Sequence, residues 1–177
     1  MDRFIKSQGD LDGACFLYTL VNAVNCLRGR SIRSSDSWQR LVGGVYDPRD
    51  FLRNDVGTAR IDEFPDLITK LMGTYVSLLD PSSNYSVKCV EISDTSQLQR
   101  RRFVSDDSVL LVDNGEHWFV LVDADRGQVF AACSAELNDN PKGYVEAKSP
   151  KLGRTYNTSF ELGELALHKG MAYQLAI

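Results

Sequence analysis

The chain has 177 residues, 43% of them hydrophobic and 25% charged, which predicts a single soluble domain over residues 1–177. Its formal net charge of −4 argues against binding nucleic acid through the phosphate backbone. The amino-terminal segment MDRFIKSQGDLD lacks the apolar centre of a signal peptide. No apolar run is long enough to cross a bilayer, so we expect no membrane partner.

The first half of the chain predicts helices. Residues 14–28 are almost entirely apolar, which is typical of a helix buried inside a domain. Asp12 is the predicted N-cap of this helix. A second short helix is predicted over 34–44, where two glycines end it, and a third over 60–73, with Pro65 near its start.

The second half predicts an antiparallel sheet. Residues 86–92 alternate like a strand and 94–103 fit a short helix. Three β-rich runs follow between 108 and 134, joined by Asn114-Gly115 and by the turn 124–127. Asn-Gly between hydrophobic runs is a strong hairpin signal. The tail ends in MAYQLAI and adds one or two strands, so the predicted class is α+β.

The chemistry-bearing residues are few. Four widely spaced cysteines form no CxxC pair, and there are two histidines: Cys15, Cys26, Cys89, Cys133, His117 and His168. This pattern predicts no disulfide scaffold and hardly offers the ligands of a zinc site. Cys26, Cys89 and Cys133 lie in apolar runs and are expected in the core, and His168 is expected in a turn or at a helix end.

Cys15 falls in the first turn of the predicted buried helix. Free amides and the helix dipole favour negative charge there, and the thiolate is the nucleophilic form of cysteine. His117 follows the Asn-Gly turn at the start of a strand, where it can act as the base. Gln8 and the backbone N–H of Cys15 are candidate donors for an oxyanion. The simpler alternative is that Cys15 is a small buried residue.

A third group should hold the imidazole of His117. Pairing across the turn 124–127 predicts a register in which Val122 faces Val129 and His117 faces Ser134. Ser134 is therefore the geometric candidate for the third catalytic residue. Two further candidates lie slightly beyond it: Asn138 and Asp139.

Two segments resemble a known family. QGDLDGACFLYTLVNA resembles the active-site segment of papain-like cysteine peptidases, in particular the bacterial branch related to bacteriocin-processing peptidases, and GEHWFVLVDAD resembles their histidine segment. The resemblance assigns the family's catalytic roles to Gln8, Cys15 and His117. The loop from Gln8 to Cys15 is one residue longer than in papain. AACSAEL offers no Asp or Asn where the family has its third residue, which leaves Ser134 in that place.

The resemblance implies a papain-like α+β fold, with N-terminal helices and a central buried helix packed on a C-terminal antiparallel sheet. It implies a thiol peptidase or isopeptidase that acts on a protein or peptide substrate without a metal or organic cofactor. It also implies a cytoplasmic protein, or one delivered as an effector. Two alternatives stay open: a deamidase or acyltransferase with the same Cys/His pair, and an inactive binding module on the same scaffold.

Overall fold

The structure is a computed structural model that describes residues 5–6, 14–32, 34–45, 58, 61–99, 103–135 and 155–177. The helices are α1 (Cys15–Arg28), α2 (Ser34–Gly44) and α3 (Pro65–Leu79). The strands are β1 (Ser86–Glu91), β2 (Ser108–Asp113), β3 (Trp118–Asp125), β4 (Gln128–Ala132), β5 (Thr158–Glu161) and β6 (Met171–Ala176). Two short 3₁₀ turns cover Thr95–Gln99 and His168–Gly170. The chain therefore has the predicted α+β class, and the part described contains no helix long and apolar enough to cross a membrane.

Helix α1 is the centre of the core, and eleven of its residues are buried. Its two asparagines explain how polar residues fit inside an apolar helix. The side chain of Asn22 accepts a hydrogen bond from the Lys6 N–H (2.7 Å) and donates one to the Lys6 carbonyl (3.2 Å). Asn25 accepts one from the N–H of Ile32 (2.7 Å). The two asparagine side chains therefore hold the segments at Lys6 and Ile32 against α1. The same hydrogen bonds provide partners for the buried side-chain amides.

The six strands form one antiparallel sheet in the order β1-β6-β2-β3-β4-β5. Every residue of β2 is buried, because both faces of the sheet are covered. The helix face packs against α1 and α3, and Trp118, Val120 and Val122 of β3 point to it. Phe119 and Leu121 point to the second face, into a separate apolar cluster, as strand alternation requires.

Three elements meet at what we call the upper end of the sheet, where β2 ends and β3 and β6 begin. Asp113 pairs with Trp118 there. The ring of Phe16, in the first turn of α1, contacts the ring of Trp118 edge to face, with centroids 5.1 Å apart. An ion pair of 2.6 Å between Arg28 and Asp80 joins the far ends of α1 and α3. The start of α1 therefore lies at the upper end.

Most predicted elements are confirmed, including the second helix, the meander and the closing strand. Three details are wrong. The N-cap of α1 is Ala14 and makes no side-chain cap bond, so Asp12 is not the cap. The third helix continues past Gly73 to Leu79, because its apolar face packs on the core throughout. The predicted helix over 94–103 is only a short 3₁₀ turn.

We expect the burial of α1 to dominate stability. Leu20 is fully buried on α1, whereas Leu67 on α3 is 40% exposed. Leu20→Ala should lower the free energy of unfolding by about 3 kcal/mol because it leaves a cavity, and the matched control Leu67→Ala should change it by less than about 0.5 kcal/mol. Urea unfolding followed by circular dichroism measures both. Equal losses in the two variants would contradict the central place of α1.

Candidate functional site

Cys15 opens helix α1 at the upper end of the sheet. The residue is half-buried and its thiol is free of any disulfide. It packs beside the apolar cluster of the helix face. The first turn of α1 contains no acidic residue. The first-turn amides of a helix and its dipole favour a negative charge at such a position. The catalytic role of Cys15 stays a prediction.

The ring of His117 lies on the second face of the sheet. It stacks on Phe119, with ring centroids 6.5 Å apart and planes 13° from parallel, and Phe119 belongs to the apolar cluster of that face. The backbone N–H of His117 donates to the side-chain oxygen of Asn114 (2.8 Å), which fixes the predicted turn. The Nε2 atom of the ring is buried without a hydrogen-bond partner. Burial lowers the pKa of His117, which favours the neutral form of the ring.

The structure brings the segments of Cys15 and His117 together, but not onto one face of the sheet. Phe16 and Trp118, which directly follow them, are in ring contact. Because side chains alternate along a strand, the residue before Trp118 points away from α1. The dyad of Cys15 and His117 therefore stays a prediction. It requires the imidazole to move from the second face of the sheet to the helix face.

The predicted register that set Ser134 opposite His117 is wrong. The observed pairs are Ala124 with Val129 and Val120 with Ala132, and the register shifts by one residue between them. The turn has only two residues, Arg126 and Gly127, both with positive φ. If the pairing is continued two residues beyond Val120 and Ala132, Ser134 lies opposite Trp118.

Ser134 is buried at the upper end, directly after β4. The register puts it on the helix face, away from the present position of the His117 ring. Three other predicted site residues, Gln8, Asn138 and Asp139, lie outside the described residues. Their roles stay predictions.

A cluster that the sequence analysis did not identify lies on the helix face at the upper end. One ligand atom each from Asp62, Asp113 and His168 lies within 4.8 Å of the other two. The cluster lines a small pocket that is partly open to solvent. The remaining lining residues of this pocket are Ile68, Trp118, Lys169, Met171 and Tyr173. Titratable groups gathered in a pocket are candidates for a functional site.

Tight turns position two members of the cluster. Asp113 is the last residue of β2, and its Oδ1 accepts a hydrogen bond from the N–H of Gly115 (2.8 Å). Gly115 has a φ of +92°, and a Cβ there would lie 3.8 Å from Nδ1 of His168. Because glycine has no Cβ, Gly115 can adopt this left-handed conformation beside the imidazole of His168. His168 stands in the turn that leads into β6, which confirms its predicted turn position.

Asp62 lies in the turn before α3. Its backbone N–H donates to the carbonyl of Thr58 (3.1 Å), and the Thr58 side chain hydrogen-bonds its carboxylate. The same Thr58 hydroxyl accepts a hydrogen bond from Nε1 of Trp118 (2.8 Å). Trp118 therefore connects the cluster to the first turn of α1 through its contact with Phe16.

The two carboxylates of the cluster are poorly solvated. Burial raises the pKa of Asp113, the hydrogen bond from Gly115 lowers it, and the nearby Asp62 carboxylate raises it again. Burial also raises the pKa of Asp62. Lys169, which lines the same pocket, forms an ion pair with Glu63 (2.6 Å). Nothing in the local sequence predicts the meeting of these side chains, because they come from three distant turns.

The chain matches no protein-family model, no curated protein and no solved structure. Its candidate sites are therefore argued from its own residues and geometry.

The buried ring of His117 predicts a pH-dependent stability. Because its pKa lies below the ordinary value of 6.5 in the folded chain, the unfolded chain binds the proton more readily. The free energy of unfolding should therefore fall as the pH decreases through 6.5, by at most about 1.4 kcal/mol per pH unit from this one group. His117→Gln should reduce that slope relative to the unchanged protein, as measured by urea unfolding between pH 5 and pH 8. An NMR titration that gives His117 a pKa at or above 6.5 would contradict this expectation.

Proposed function

We propose that the chain is a papain-like cysteine hydrolase, a thiol peptidase or isopeptidase that acts on a protein or peptide substrate. The observation that carries the proposal is the contact between Phe16 and Trp118. These residues directly follow Cys15 and His117, so the contact supports a meeting of the two segments that resemble the active-site segments of papain-like peptidases.

The fold gives further support at a coarser level. A helix that is buried on nearly all sides packs against an antiparallel sheet, and the candidate nucleophile is the first residue of that helix. Helix-first order along the chain and a cysteine at the helix start are what the papain-like resemblance implies. The half-buried position of Cys15 leaves part of this residue accessible to a substrate.

In the proposed reaction, His117 removes the proton from the Cys15 thiol, and the sulfur attacks the carbonyl carbon of the substrate. The amide of Gln8 and the N–H of Cys15 stabilise the oxyanion. The tetrahedral intermediate collapses, the C–N bond breaks, and His117 returns the proton to the leaving amine. Water then hydrolyses the thioester, which releases the acid product and restores the thiol.

The proposal requires a rotation of the His117 side chain from its stack on Phe119 to the helix face. His117 stands outside β3, in the loop that precedes it, so the rotation breaks no strand pairing. Burial lowers the pKa of His117 only in its position on the second face, and the rotation toward α1 would remove that burial. After the rotation, Ser134 would be on the same face as the imidazole and could orient it.

One observation favours a second candidate, a non-catalytic binding module on the same scaffold. The His117 ring packs in an apolar cluster on the face away from α1. If it stays there in solution, Cys15 has no base from this residue. The two candidates differ in the reactivity of the Cys15 thiol.

We expect Cys15 to react with iodoacetamide at pH 7 at least about tenfold faster than Cys89, because an activated thiol has a larger thiolate fraction. Cys89 is an internal control: the sequence predicts it in the core, but it is a free and exposed thiol. Partial desolvation and the nearby Asp66 carboxylate raise its pKa. His117→Ala should lower the Cys15 rate toward that of Cys89. Peptide mass spectrometry after timed labelling measures both rates in one sample.

Two outcomes would contradict this assignment. Equal labelling of Cys15 and Cys89 in the unchanged protein favours the binding module. Loss of fast labelling in His168→Ala, with His117→Ala unaffected, would give the role of base to the other histidine of the chain.

A further inference from the structure

We propose that Asp62, Asp113 and His168 bind one divalent transition-metal ion such as Mn²⁺ or Zn²⁺. The site is distinct from Cys15 and does not depend on the hydrolase proposal. It also departs from the expectation, drawn from the sequence, that the chain has no metal site.

The spacing of the three side chains suits a metal ion. Their ligand atoms lie within 4.8 Å of one another. Ligands about 2.1 Å from a tetrahedral metal ion are about 3.4 Å apart, so movements of roughly 1 Å would bring all three into coordination. Each ligand comes from a tight turn or strand end whose backbone is hydrogen-bonded. Metal binding would therefore lose little backbone conformational entropy.

The burial of the carboxylates is a second observation that points to a cation. Oδ1 of Asp62 is buried and has no hydrogen-bond partner, although it belongs to the cluster that lines the pocket. Asp113 is only 9% exposed. An unpaired carboxylate oxygen away from water costs free energy, and a bound cation would compensate both carboxylates at once.

Among the described residues, His168 and Lys169 are the positively charged neighbours of Asp62. Lys169 lines the same pocket, but its ammonium forms an ion pair with Glu63 at 2.6 Å. Around the ligands, Gly115 donates to Asp113 and Thr58 hydrogen-bonds Asp62. Such outer contacts orient carboxylate ligands in metal sites.

The ligand set selects the kind of ion. Two carboxylates favour Mn²⁺ and similar hard cations, whereas imidazole favours Zn²⁺ and other first-row transition metals. Ca²⁺ takes six to eight oxygen ligands, and three side chains with one nitrogen do not supply them. We therefore expect a transition-metal site with positions left for water or a substrate oxygen.

The test uses the full chain after dialysis against a chelator and titrates it with Mn²⁺, followed by the EPR signal of the free ion. Mn²⁺ binds thiols weakly, so the four cysteines do not obscure the result. We expect one Mn²⁺ per chain, and at least about a tenfold weaker affinity in both Asp113→Asn and His168→Gln. Asp66→Asn is the matched control, since Asp66 is exposed in the first turn of α3.

A second measurement distinguishes a lost metal site from a variant that does not fold. Zn²⁺ should raise the thermal midpoint of the unchanged protein and of Asp66→Asn, and should not raise it in Asp113→Asn or His168→Gln, since a ligand that binds the folded state stabilises it. Circular dichroism confirms that the variants are folded.

Three results would overturn the site: no saturable Mn²⁺ binding, equal affinity in all variants, or an affinity lost equally in Asp66→Asn. In these cases the three side chains do not form a metal site. None of these results changes the expected labelling of Cys15, so the two proposals fail separately.

Discussion

The packing of α1 against the middle of the sheet is the contact on which the rest of the structure depends. Its first turn is anchored by the edge-to-face contact between Phe16 and Trp118, and its asparagines attach the chain on either side of it. Helix α1 is buried on nearly all sides, and this packing fixes its first turn at the upper end of the sheet. That constraint brings Cys15 close to the loop that carries His117.

Trp118 relates the two candidate sites to each other. Its ring contacts Phe16 on one side and Tyr173 on another, and its Nε1 donates to Thr58, which in turn holds Asp62. One indole therefore contacts the helix of the candidate nucleophile and lines the pocket of the candidate metal ligands. A change at Trp118 should disturb both, because the contacts form one continuous network.

Of the three buried side-chain polar atoms without a hydrogen-bond partner among the described residues, two lie at the upper end of the sheet, and the third, on Thr19, lies in α1. The described residues include unpaired buried atoms on Asp62 and His117, and burial shifts the pKa values of both residues toward their neutral forms. Groups of this kind lower the stability of the folded chain. Natural proteins accept such local conflicts mainly at functional sites, which is why both proposals concern this end of the molecule.

The sequence by itself determined the elements whose signals are local: the buried helix over residues 14–28, the Asn114-Gly115 hairpin and the α+β class. Tertiary structure alone decided that β6 inserts between β1 and β2, and which face each side chain occupies. A two-residue turn and a one-residue register shift at Val122 of β3 move Ser134 from opposite His117 to opposite Trp118, and no local propensity encodes such a shift. The meeting of Asp62, Asp113 and His168 likewise depends on long-range packing, because each residue by itself is an ordinary turn former.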